Sequence, residues 1–150
     1  MKKSDFVTTA NLELHIEGDV IVIKNFGETT LADLQIILAA YERVHGRYGH
    51  MFALYDGRLG KGMTSEARRE MMANASGSRR AADATAVFGA PFSMRILVNM
   101  LDRALIGLRK KSLGVVMFAT EAEARAYLDE QRQRVLRAKT SSAAVTSAMP

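Results

Sequence analysis

The stretch LELHIEGDVIVIKNF, residues 12–26, restricts the fold more than any other part of the chain. Leu12, Leu14 and Ile16 alternate with polar residues, the period of a strand with one face in a core. Val20–Ile23 is an unbroken β-branched run, and Gly18–Asp19 stands between the two. A glycine there supplies the positive φ that a tight hairpin turn needs. The chain is therefore expected to open on two antiparallel strands.

Helical and strand periods then alternate. In ETTLADLQIILAAYERVHG, Leu34, Ile37, Leu38 and Tyr41 recur on one helical face, with Thr30 and Asp33 as a capping pair and Gly46 as the stop. HMFALYD reads as a short buried strand, and TSEARREMMANASGS as a helix fading at Gly77. DATAVFG is a strand, Pro91 opens a helix running to about Arg109, and LGVVMFA is the last strand. The last helix spans TEAEARAYLDEQRQRVLRAK. Thr120 and Glu123 form its capping box, and Ala124, Leu128, Gln131 and Val135, with Tyr127, form its apolar side. The order is β-β-α-β-α-β-α-β-α. It defines a single α/β domain over residues 1–137, with a mixed, mainly parallel sheet opened by a β-hairpin and helices covering it. TSSAAVTSAMP has no periodicity, so residues 138–150 are expected to be a disordered tail.

Composition narrows the function classes. With 48% apolar and 25% charged residues, 150 residues suffice for one self-supporting core. No apolar run approaches the roughly 18 residues of a membrane span, and MKKSDFVTT has no apolar block of a secretory leader. Cysteine is absent, which removes disulfides and thiol chemistry and fits a cytoplasmic protein. The net charge of +5 is scattered over Lys2–Lys3, Arg79–Arg80, Arg109–Lys110–Lys111 and residues 132–139. Phe52, Tyr55, Phe88 and Phe118 fall in strands rather than beside a basic stripe, which argues against nucleic-acid binding.

Three glycines and two basic residues follow Asp56 in LYDGRLGKGMTSEARREMM. A nucleotide P-loop needs four residues between its first glycine and the Gly-Lys. Here only Arg58 and Leu59 separate Gly57 from Gly60–Lys61, and Gly62 stands where a hydroxyl is required. What remains is an anion- or partner-binding loop of Asp56, Gly57, Lys61 and Gly62, or a plain turn in which Thr64 or Ser65 caps the next helix. Asp56 ends a buried strand, where α/β folds place active residues, yet no second group joins it. His15, His45 and His50 show no ligand spacing, and Ser93 reads as a helix cap. No catalytic residue, metal or cofactor is expected.

PFSMRILVNMLDRALIGLRKK carries a narrow polar stripe of Arg95, Asn99, Asp102 and Arg103. Around it lie Phe92, Met94, Leu97, Val98, Met100, Leu101, Leu105 and Leu108, together with Ile96 and Ile106. This arc exceeds the roughly 100° that one sheet face covers. It is expected either to be buried beneath the second helix or the tail, or to meet a second copy of the chain, another protein, or an apolar ligand, with Arg109–Lys110–Lys111 available to anionic headgroups at a membrane surface.

The hairpin, the strand ending LYDG, and the stretches ATAVFGAPFSMRILVNML and VVMFATEAEARAYL occur in an order that resembles the STAS fold of anti-sigma-factor antagonists. The likeness is greatest to the divergent bacterial branch that is also compared with CRAL-TRIO lipid-transfer domains. Phe118, Thr120, Ala124, Tyr127 and Leu128 fit its closing pattern F-x-[ST]-x-x-x-A-x-x-[YWL]-L, and the resemblance covers residues 10–131. It implies a signalling protein that acts by protein–protein binding, here as a homodimer. In classical members a serine at this strand-to-helix corner is phosphorylated by a partner kinase, and Thr64 and Ser65 occupy that corner. The Asp-Ser-Ser-Gly signature is missing, and the loop is longer and more basic. The alternative is a carrier or sensor of a lipid-like ligand, with helix 92–108 as lid.

Overall fold

The computed structural model describes residues 5–75, 82–108 and 114–148. Strands β1 (Phe6–Thr8), β2 (Leu12–Glu17), β3 (Val20–Asn25) and β4 (Gly27–Thr29) precede helix α1 (Leu31–Tyr48). They are followed by β5 (Phe52–Asp56), β6 (Gly60–Met63), α2 (Ser65–Ala75), β7 (Ala84–Phe88), α3 (Phe92–Gly107), β8 (Val115–Phe118) and α4 (Glu121–Ala148). The main sheet has six strands in the order β1-β2-β3-β5-β7-β8. β1, β2 and β3 pair antiparallel, and β3, β5, β7 and β8 run parallel. This is the mixed sheet expected, with the hairpin turning at Gly18, φ 61°.

β3 is covered on both faces, which explains its unbroken apolar run. On one face Ile21, Ile23 and Ala53 pack with Leu12 and Leu14 under Ile37, Tyr41 and Val44 of α1. On the other, Val20, Val22, Phe52, Leu54, Ala84, Ala86 and Phe88 lie under Ala124 and Leu128 of α4. Thr30 and Asp33 form the full capping box of α1. Half of the box expected on α4 is present, the Glu123 amide donating to Thr120 Oγ1 at 3.3 Å.

Several elements differ from expectation. β1, β4 and β6 span three or four residues each, too short to show a period. β4 and β6 form a small parallel ribbon of their own. α1 passes through Gly46 and stops at Gly49, which takes the left-handed conformation and returns its N–H to the His45 carbonyl at 2.8 Å. Gly46 keeps helical geometry inside α1, and a Cβ there would meet nothing within 4 Å. Ser93 lies inside α3, whose N-cap is Pro91 without a side-chain bond. The segment 138–150, expected as a tail, continues α4 to Ala148: no glycine or proline interrupts it before Pro150, and Thr140 Oγ1 donates to the Leu136 carbonyl at 2.9 Å. Gly77, Lys2–Lys3, Arg79–Arg80 and Arg109–Lys110–Lys111 lie outside the described residues.

Candidate functional site

The register Lys24↔Asp56↔Phe88↔Phe118 aligns the carboxyl ends of the parallel strands. Asp56 therefore stands on the sheet edge where α/β folds place ligands. Its side chain is committed. Oδ1 accepts from the Arg58 amide (3.1 Å) and Nε (2.9 Å), and Oδ2 from Arg58 Nη2 (2.7 Å). The guanidinium bonds, outweighing burial, hold the carboxyl below the usual range, with Lys24 adding to the effect. A carboxylate so charge-paired is a poor proton acceptor, and its role is to fix the loop. Arg58 in turn lies over the Phe88 ring at 5.6 Å.

Close approach explains the glycines. Gly57 donates its amide to the Phe88 carbonyl at 2.9 Å, and a Cβ there would sit 3.1 Å from Ala90 and from Val87. Gly60 and Gly62 are buried in β6, against α3. A Cβ on Gly60 would meet Met94 Cε at 2.7 Å, and one on Gly62, φ 96°, would meet Leu97 Cδ2 at 3.3 Å. Lys61, between them, is exposed. The corner and α3 are thus in contact: the glycine strand is the ledge on which the inner side of α3 rests.

Thr64 and Ser65 have different roles. The Thr64 amide donates to the Thr29 carbonyl at 3.0 Å, extending the β4–β6 ribbon. Its Oγ1 accepts from the Ala67 amide at 3.2 Å, the N-cap bond of α2. Ser65 is exposed, and its Oγ accepts from Arg68 Nη2 at 3.2 Å.

On α3 the expected interface set divides by depth. Leu105 is fully buried and is the anchor of the helix rather than part of its open face. Met94, Leu97, Val98 and Leu101 are half-buried. Phe92 is 76% exposed, Met100 63% and Leu108 62%. Ile96 and Ile106 are exposed as well.

The histidines lie apart from this surface. His15 bonds Glu17 at 2.8 Å, the His45 carbonyl serves the α1 cap, and His50 sits at the other edge of the sheet. Among the described residues no three His, Asp or Glu side chains converge as a metal-ligand set, and no helix is long and apolar enough to cross a membrane. The contacts of β4 and β6 with the corner went unseen in the sequence. The one available signal was the alternation of glycines at 60 and 62, the spacing of a strand face that another element approaches closely.

A mainly parallel sheet opened by a hairpin, with helices on both faces, gives this α/β domain a SpoIIAA-like fold. Among solved structures the chain is similar to an uncharacterized protein of the DUF3478 family with a SpoIIAA-like fold from Shewanella loihica PV-4. The TM-score is 0.52 over 81% of this chain and 98% of that one, at 15% identity. It is also similar to the anti-sigma factor antagonist SpoIIAA in its unphosphorylated form, with TM-score 0.49, 17% identity, and 79% and 97% of the two chains covered. No family model matches the chain, and no curated protein matches it by sequence.

Proposed function

We propose that this protein is a non-enzymatic regulatory module that binds another protein through the Asp56–Ser65 corner and the open side of α3. The carrying observation is the exposure of Phe92, Met100 and Leu108 on a helix whose buried anchor is Leu105. Large apolar side chains left exposed in this way usually mark association. The same face joins two copies of the chain into a homodimer. Such a module would act in the cytoplasm, which the absence of cysteine also fits.

Ser65 is the switch. Its hydroxyl is exposed on the first residue of α2, beside Arg68, whereas the Thr64 hydroxyl is spent on the cap. A phosphate there is favoured by the helix N-terminus and adds nearly two negative charges to a face that carries Lys61. The lipid-carrier reading rests on the same apolar side chains and is separated by the same experiment. Native mass spectrometry at micromolar concentration should give a bare dimer, weakened by Ser65→Asp and unchanged by Ser65→Ala. A bare monomer throughout would overturn the dimer. A retained lipid-sized adduct would replace protein binding with the carrier.

A further inference from the structure

At the opposite edge of the sheet, three elements meet on one imidazole. His50, between α1 and β5, is buried against the rings of Tyr48 (centroids 6.2 Å) and Phe52 (5.7 Å). Its Nε2 lies 2.9 Å from Oδ2 of Asp19 in the hairpin turn. Its Nδ1 lies 2.7 Å from the ammonium of Lys139 on α4, which also donates to the Tyr48 carbonyl at 3.4 Å. Other charged groups nearby have partners of their own, Arg47 lying over the Tyr48 ring at 5.6 Å. Arg132 grips both Asp19 oxygens at 2.7–3.2 Å and also pairs with Asp129, and the Asp83 carboxylate takes the Met51 amide at 2.9 Å.

These contacts fix the proton. An ammonium has donors only, so Nδ1 must offer its lone pair to Lys139. Nε2 must then carry the hydrogen and donate it to Asp19. The arrangement admits one tautomer of the neutral ring. A second proton would sit on Nδ1 and point at the Lys139 ammonium 2.7 Å away, two donors and two positive charges with no acceptor between them. The Asp19 side gains from that charge, and the Lys139 side must open.

We propose that His50 is a pH-operated latch on the end of α4. With the ring neutral, Lys139 is held against the end of α1, and with it the helix end that follows. With the ring protonated, Lys139 lets go, while Arg132 on Asp19 keeps the preceding part of the helix seated. The released part has little burial to retain it: every residue from Leu136 to Ala143 is exposed.

The test is NMR on the intact protein, followed from alkaline to acid pH. The His50 ring carbons report protonation, and the backbone heteronuclear NOE of residues 139–148 reports order. In the native chain those NOE values should fall from rigid to flexible in step with the ring signal. His50→Gln keeps one donor and one acceptor but cannot take the second proton, so its helix end should stay ordered throughout. Lys139→Met should be loose at both extremes. Order that persists through the ring titration, or a His50→Gln profile that follows the native one, would overturn the latch.

Discussion

Helices α3 and α4 invert the usual relation between apolar content and burial. α3 offers large apolar side chains over most of its 16 residues and buries Leu105 alone. α4 is 28 residues long and mostly polar, yet Ala124 and Leu128 are at 0% and 2% exposure. The difference lies in what each faces. α4 covers the broad apolar side of β3, β5 and β7. α3 leans on β6, four residues whose two glycines provide a close seat but little area. α4 is further tied by Arg132 to Asp19 and by Arg125 to Glu17 at 2.9 Å. Place in the topology, rather than hydrophobicity, decides which helix belongs to the core.

The largest test of that contrast is a pair of truncations. Leu128→Ala leaves a cavity under α4 and should cost about 2–5 kcal/mol in urea unfolding. Met100→Ala, on the open side of α3, should stay within about 0.5 kcal/mol while weakening self-association. Equal costs would mean that α3 is as much core as α4, and the contrast would fail.

A smaller effect probes the seat. Gly62→Ala must hold a side chain at φ 96° with its Cβ 3.3 Å from Leu97 Cδ2. A left-handed non-glycine residue costs roughly 1–2 kcal/mol, and here the strain also pushes on α3. Amide exchange in α3 should quicken more than in α4. Gly60→Ala is the control, because the flexible end of Met94 can swing away. If both variants exchange like the native chain, β6 does not position α3.

Much of the fold could be read in the residues because its signals are local. The Leu12–Ile16 alternation, the Thr30–Asp33 cap and the period of α1 each follow from contacts within a few positions. The end of α1 did not, because Gly46 and Gly49 are both plausible stops and only φ separates them. The ledge under α3 escaped because β4 and β6 find each other across α1, and three- or four-residue strands carry no period. For the corner, the sequence pointed to Asp56 and the glycines. It missed that Arg58 takes both carboxylate oxygens, a pairing set by the side-chain geometry of the folded loop. The divided exposure of α3 was equally hidden, since a wide apolar arc does not say which part of it the sheet leaves uncovered.

The smallest effect concerns how α4 is tied. Burial raises the Asp19 carboxyl, but Arg132 and His50 more than offset this and leave it below the usual carboxylate range. A carboxyl depressed in the folded state adds stability that is fully present above its unfolded value, about 3.9. That contribution is lost as pH falls through the lower folded value. Asp19→Asn removes it at neutral pH, an expected loss of about 1 kcal/mol for a partly exposed guanidinium on a largely buried carboxylate. The comparison is made in the His50→Gln background, which removes the imidazole from Asp19. Stability with and without the Asp19→Asn change is then followed downward from neutrality. The two curves should converge below the ordinary carboxylate range, where the native side chain is protonated as well. Curves that stay parallel into acid would show that Arg132 gains nothing from Asp19. The hold on α4 would then rest on the packing of Ala124 and Leu128 with the Arg125–Glu17 pair, and the two helices would differ chiefly in the area of sheet beneath them.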